Sequence, residues 1–132
     1  MAAQVRIPIR WADVDAYGHV NNAVFLNYLE EARDPLVEGL FGPGSWDFVI
    51  ARVTIDFRAE LNQDDREVVV RSWVTGFGTS SVRTAEQVLR VDGTLSAEAE
   101  SVLVPRDPST GRSRPLTSEE RDVLEAAIAA VD

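Results

Sequence analysis

The sequence predicts an α+β fold: a long helix laid against a five-stranded antiparallel sheet, with a shorter helix at the end. Three observations predict it. One early segment carries apolar residues three and four positions apart, the repeat of a helix face. The segments after it alternate with period two or are rich in β-branched and aromatic residues. The last segment returns to the helical repeat behind a capping-box spacing. Strands that follow one another beside one helix favour segregated layers over the alternating order of a parallel sheet.

In the first strand Val5, Ile7, Ile9 and Trp11 alternate with Arg6, Pro8 and Arg10, a half-buried pattern. Pro8 has no N–H for a ladder, which places this strand at a sheet edge or on a bulge. Residues 12–22 are rich in Asp, Asn and Gly, which is turn chemistry. The long helix follows, with Phe25, Leu29, Ala32, Leu36 and Leu40 on one face. Asn21 or Asn22 is its N-cap, because an Asn oxygen accepts from the first unpaired amides. Pro35 lies inside this run, removes one backbone donor and crowds the preceding turn, so a kink or break is expected near Arg33–Asp34. Gly42-Pro43-Gly44 ends the element.

The second strand runs from Phe48 to Phe57, with Val49, Ala51, Val53, Ile55 and Phe57 on one face opposite Arg52, Thr54, Asp56 and Arg58. Residues 62–65 are a turn, and residues 67–77 (EVVVRSWVTGF) form a third strand. Gly78-Thr79 turns into a fourth strand over residues 80–91, and Asp92-Gly93 is a hairpin signal leading to a fifth, from Leu95 to Val104. Pro105 to Arg114 is a loop. Thr117 and Glu120 have capping-box spacing ahead of Val123, Leu124, Ala127, Ile128 and Val131. The order is β-α-β-β-β-β-α. Without an internal repeat or a linker, one domain over residues 1–132 is expected.

Composition narrows the function. Apolar residues make up 45% of the 132, enough for a core, although a domain this small leaves surface that oligomerisation would bury. Thirteen Lys and Arg stand against 22 Asp and Glu, a formal net charge of -9. Binding to nucleic acid or to an anionic membrane surface rests on basic side chains, so neither partner is expected. The chain has no cysteine, which removes disulfides, thiolate metal sites and a Cys nucleophile. The N-terminus, Met1-Ala2-Ala3-Gln4-Val5-Arg6, lacks the basic and apolar segments of a signal peptide. No apolar stretch nears the roughly 18 residues of a membrane span. A cytoplasmic protein is the expectation.

One stretch is chemically loaded: Arg10-Trp11-Ala12-Asp13-Val14-Asp15-Ala16-Tyr17-Gly18-His19-Val20-Asn21-Asn22. It holds two carboxylates and the chain's only His, and it leads into a helix N-terminus, whose unpaired amides face whatever lies in front of them. A carboxylate beside such amides can activate water next to a polarised carbonyl. The competing reading is an ordinary loop, since Asp, Asn and Gly are also the residues of turns before helices. Asp13, Asp15 and Gly18 fall on calcium-loop positions, but Tyr17 and Val24 stand where that loop needs an oxygen ligand and a Glu, so calcium is rejected. One His and no Cys argue against zinc, and no metal is expected. The chain has no P-loop, dinucleotide fingerprint or serine elbow.

The pattern Asp13-x-Asp15-x-x-Gly18-His19-Val20-Asn21-Asn22, followed by Phe25-Leu26-Asn27-Tyr28-Leu29-Glu30-Glu31-Ala32-Arg33, closely resembles the 4-hydroxybenzoyl-CoA thioesterase family of hotdog-fold proteins, which includes many bacterial acyl-CoA thioesterases. The resemblance implies a sheet wrapped around the long helix and sites at the interface of a homodimer, alone or joined with a second dimer into a tetramer. It implies hydrolysis of acyl-CoA with no cofactor, CoA being part of the substrate. Asp15 matches the catalytic carboxylate, as general base or as nucleophile. Asn22 marks the backbone amide that polarises the thioester carbonyl. His19 is carried as a catalytic candidate, with a loop-shaping role as its alternative.

Gly18, Tyr28, Ser80, Ser81 and Arg83 are candidates for contact with substrate or CoA. Gly18 is also read as the residue that permits the turn, and Tyr28 as a candidate neighbour of Glu31. Some family members grip CoA phosphates with a basic cluster at the start of the fourth strand. This chain has Gly78-Thr79-Ser80-Ser81 there, with no cation before Arg83, which makes Arg52 and Arg58 alternatives and leaves acyl carrier protein open as a second thiol partner. Two other functions are weighed: an enoyl-thioester hydratase or dehydratase using Asp15 with His19, and a non-catalytic acyl-thioester binder.

Overall fold

The long helix begins where Asn21 caps it: the Asn21 side-chain oxygen accepts the Ala23 amide at 2.9 Å. In the computed structural model, which describes residues 2–44 and 47–130, this helix, α1, spans Asn22–Phe41. Before it come a strand β1 (Ala2–Pro8) and a 3-10 turn (Trp11–Asp13). After it come β2 (Phe48–Phe57), β3 (Glu67–Phe77), β4 (Val82–Arg90), β5 (Leu95–Pro105) and a second helix, α2 (Ser118–Ala129). The α2 capping box forms as the spacing predicts: Thr117 accepts the Glu120 amide at 3.1 Å, and Glu120 returns to the Thr117 amide at 2.8 Å. Val131, assigned to this helix from the sequence, lies outside the described residues.

The five strands form one antiparallel sheet in the order β1-β3-β4-β5-β2. β1 is an edge strand and Pro8 is its last residue, as the missing N–H requires. Phe25, Leu29, Ala32 and Leu36 of α1 are buried against the sheet, the face that the helical spacing marks. Burying each of the larger ones is worth about 1.5–3 kcal/mol.

The core falls into two apolar clusters. One joins Phe25, Tyr28 and Leu29 to Ile7, Leu61, Val68, Val70 and Val88; the other joins Val37 to Val74, Val82, Leu103, Leu116 and Leu124 of α2. The helix lies over β1, β3 and β4. The helix-facing side of β2 is therefore less covered, with Ile50 38% and Phe57 44% exposed. No described helix is long and apolar enough to cross a membrane.

Three local expectations are corrected. Trp11 does not end the first strand: the chain leaves the sheet after Pro8, and Trp11 sits in the 3-10 turn, 85% exposed. Val49 and Ala51 do not share the face of Val53, Ile55 and Phe57. A register shift between Ile50 and Arg52 pairs Ile50 with buried Leu103 and Val49 with Val104, so the bulge moves Val49 to the other face. The helix does not break near Pro35 and runs unbroken from Asn22 to Phe41. Pro35 withholds one donor from the carbonyl of Glu31, and both residues are at exposed positions, where solvent can reach the helix surface.

Candidate active site

The loop between β1 and α1 is held at its neck and at its tip by separate sets of hydrogen bonds. At the neck, the Asp13 side chain is 1% exposed and accepts from the Arg10 amide (2.9 Å), Arg10 Nε (3.0 Å) and Nη2 (2.8 Å), and the Tyr28 hydroxyl (2.9 Å). The Asp13 carbonyl takes the Asn21 amide at 2.9 Å, Val14 and Val20 form a β-bridge, and the Val20 amide donates to the Leu61 carbonyl at 2.7 Å. Burial alone would raise the Asp13 carboxyl. The Arg10 amide and guanidinium and the Tyr28 hydroxyl outweigh burial and hold the carboxyl below its ordinary value. Burial and the Asp13 charge push the Tyr28 phenol well above the tyrosine range, so it stays a donor.

At the tip, the Asp15 amide donates to the His19 carbonyl at 2.8 Å, and the Gly18 amide donates to the Asp15 carbonyl at 3.1 Å. Gly18 has φ +81°, the left-handed conformation that the turn requires and that glycine adopts without strain. Asp15 Oδ1 accepts the amides of Tyr17 (2.9 Å) and His19 (3.4 Å). Its Oδ2 has no hydrogen bond among the described residues.

Asp15, His19 and Asn22 line one cleft of about 480 Å³ together with Phe25, Phe57 and Glu60. Of the first amides of α1, Ala23 is taken by the Asn21 side chain, Val24 by the Asn21 carbonyl, and Asn21 itself by Asp13. The Asn22 amide has no partner among the described residues. The Phe25 and Phe57 rings meet edge to face, 5.2 Å between centroids, and give the cleft an apolar wall. His19 Nε2 is paired with the Glu60 carboxylate. Arg58, also at the cleft, is bound to Glu98 at 2.6 Å.

The remaining candidates lie elsewhere in the chain. Tyr28 is buried, with its hydroxyl on Asp13 rather than on Glu31, and it lines none of the cavities described. Ser80 and Ser81 sit in the turn before β4. Arg83 lies over Gly76 and borders a different cavity, with Arg52, Thr54 and Thr75. Within one chain these three do not share the Asp15 cleft. Phe57 and Glu60 are cleft residues that the sequence reading did not single out. They reach the loop because β2 returns antiparallel to α1, and no local pattern marks that return.

A carboxylate, a free backbone amide and an apolar wall around one cleft can bind an acyl carbonyl, polarise it and deliver an oxygen nucleophile. Comparison with known proteins points to thioesterases. Residues 9–127 match the model of the thioesterase-like superfamily. The chain is 29% identical over 133 residues to the long-chain acyl-CoA thioesterase FadM of Escherichia coli (strain K12), covering 95% of this chain and 98% of that one. It is 33% identical to a thioesterase from Thermus thermophilus crystallised with coenzyme A and zinc, with a TM-score of 0.87 over 98% of this chain and 96% of that one. The structure of a predicted thioesterase from Bacillus stearothermophilus is 25% identical, with a TM-score of 0.88 over 97% of each chain. The chain belongs to the thioesterase-like superfamily and has the hotdog fold.

Proposed function

We propose that this protein hydrolyses acyl-CoA thioesters to the free acid and CoA, with Asp15 as the essential residue. The observation that carries the reading is that Asp15 and Asn22, whose amide has no partner among the described residues, line one cleft. The acyl group lies against Phe25 and Phe57, and its carbonyl oxygen accepts from the Asn22 amide, so charge developing on that oxygen is stabilised. The role belongs to the N–H and not to the Asn22 side chain. In the general-base route Asp15 takes a proton from water as the water oxygen bonds to the carbonyl carbon; the C–S bond then breaks and CoA departs as the thiolate. In the nucleophilic route a carboxylate oxygen of Asp15 attacks first, the thiolate leaves, and water opens the mixed anhydride. Neither route calls for a cofactor.

His19 serves the loop rather than the chemistry in this reading. Its imidazole is engaged by Glu60 and its amide by Asp15. Acyl carrier protein ranks behind CoA as thiol partner because a net charge of -9 repels an acidic carrier.

We further propose a cytoplasmic homodimer or a tetramer of two dimers. β2 ends the sheet with one side of its ladder unpaired, and Ile50 and Phe57 beside that edge are partly exposed. Ser80, Ser81 and Arg83 would then contact the CoA of a neighbouring protomer's site.

The test is release of free thiol from short, long and aromatic acyl-CoAs by the wild type and Asp15→Asn. The expected result is turnover of at least one substrate and a loss of at least roughly a hundredfold in the variant, the size of a lost catalytic base. No release from any acyl-CoA by the wild type overturns the reading. A single turnover in ¹⁸O-water tests the nucleophilic route, which leaves label in Asp15 when water opens the anhydride at the Asp15 carboxyl carbon; the general-base route puts label only in the product acid.

A further inference from the structure

We infer that Asp13 and Tyr28 are positioning residues for hydrolysis, clamping the loop that carries Asp15 to the helix that supplies the Asn22 amide. The inference rests on the role of Asp15 proposed above.

The two reacting elements belong to different pieces of backbone. Asp15 sits at the tip of a loop, exposed enough to meet substrate, and both bonds to its Oδ1 come from amides of that same loop. Those bonds set the carboxylate relative to the loop but not relative to the helix. The Asn22 amide is fixed by α1. Something must set one against the other, and Asp13 does so twice. Its carbonyl takes the amide of Asn21, the helix cap, and its carboxylate takes the Tyr28 hydroxyl from the next turns of α1. Arg10 grips the same carboxylate from the β1 side through three bonds. Asp13 is thus the point at which strand, loop and helix meet, two residues from Asp15.

A buried carboxylate with four donors is a stiff joint, and losing the Tyr28 bond leaves a buried hydroxyl without its partner. Tyr28 is fixed at its other end by the apolar cluster around Phe25 and Leu29. The Tyr28–Asp13 bond therefore carries the position of the core into the loop. Misplacing a reacting group by about 1 Å can cost roughly a hundredfold in rate without loss of substrate affinity. Asp13 is too buried to touch substrate, which separates its role from that of Asp15.

The experiment measures kcat and KM for thiol release from the best acyl-CoA substrate, well below the thermal midpoint, for wild type, Asp15→Asn, Tyr28→Phe, Asp13→Asn, Asp13→Ala and Thr117→Ala. Thr117→Ala removes the distant α2 cap and controls for plain destabilisation. Tyr28→Phe keeps the ring and removes only the bond to Asp13. It is expected to lower kcat roughly tenfold to a hundredfold at unchanged KM, while Thr117→Ala leaves both constants unchanged. Asp13→Asn keeps an acceptor for Tyr28 and is expected to retain more kcat than Asp13→Ala; Tyr28→Phe decides if the Asp13 variants fail to fold. If Asp15→Asn is inactive and Tyr28→Phe keeps the wild-type kcat, the positioning role is overturned and the catalytic role of Asp15 stands. If Asp15→Asn keeps the wild-type rate, both fall.

Discussion

Arg33, in the middle of α1, reaches to 3.7 Å from Glu86 on β4, with both side chains buried between the two apolar clusters. Glu86 Oε1 accepts from Ser101 (2.6 Å) and Thr84 (3.3 Å), while Glu86 Oε2 and Arg33 Nε have no partner among the described residues. Burial pushes the Glu86 carboxyl up, against the opposing pull of Ser101, Arg33 and Thr84. A pair this buried is costly to break and contributes little when whole. Arg33→Met strands the charge of Glu86 and is expected to cost about 3–5 kcal/mol. Arg33→Met with Glu86→Gln, which keeps the acceptor for both hydroxyls, is expected to lie much nearer the wild type. Urea unfolding at neutral pH measures both, and additive losses would show that the two side chains are not coupled.

Two buried carboxylates, Asp13 and Glu86, predict opposite responses to acid. Asp13 is held below its ordinary value of 3.8, so its contribution is complete above that pH and is lost as pH falls through the folded-state value. Glu86 is raised above 4.5, so its contribution is complete below that pH and is lost as pH rises toward the folded-state value. Asp13→Asn is expected to lower the thermal midpoint at neutral pH and to flatten its decline between about pH 4 and pH 2. Glu86→Gln leaves Arg33 without its carboxylate and is expected to lower the midpoint, while removing the loss of stability that accompanies ionisation of Glu86 as pH rises. Thermal melts across pH check both slopes, and an unchanged acid decline in Asp13→Asn would remove Asp13 from the native carboxylates that drive it.

The strands and helices were legible because each repeats a local pattern: period two in β3, a three-and-four spacing in α1, and a capping box at Thr117. The features that were not legible are set by partners distant in sequence. Whether Ala51 forms a bulge depends on how β2 registers on β5, and whether Trp11 stays in the sheet depends on where β3 begins. The candidate segment was legible for the same reason as the strands, since Asp15, His19 and Asn22 lie within a few residues of one another and line one cleft. The partner of Tyr28 was not. Helical spacing pointed to Glu31, but the hydroxyl crosses to Asp13, fifteen positions back, because that is where the chain has buried a charge that needs a donor.

Gly18 separates backbone strain from crowding. A Cβ built there meets no atom within 4 Å, yet φ is +81°. Gly18→Ala is therefore expected to cost about 1–2 kcal/mol from conformation alone. Gly18→Asn is expected to cost less, because Asn tolerates the left-handed region. Both variants strain the turn that orders Asp15, so kcat should fall in the same order as stability. Equal stabilities for Ala and Asn would show that the loop relaxes out of the left-handed turn.

His19→Asn distinguishes a loop-shaping histidine from a catalytic one. The bonds that residue 19 makes to Asp15 come from its main chain, its amide to Asp15 Oδ1 and its carbonyl to the Asp15 amide, and both survive the substitution. What is lost is the pairing of the imidazole with Glu60, between two side chains that are both substantially exposed. Exposed pairs of this kind are worth about 0–1 kcal/mol, so kcat is expected to fall by less than roughly tenfold and the thermal midpoint to move little. Glu60→Gln, which breaks the same pairing from the other side, is expected to match it. A proton-transferring imidazole behaves differently: its loss costs about a hundredfold or more, while Glu60→Gln leaves it in place. Thiol-release kinetics of the two variants side by side decide the matter, since matched small losses assign His19 to the loop, and a large loss in His19→Asn alone assigns it to the chemistry and restores the Asp15–His19 pair as the catalytic unit.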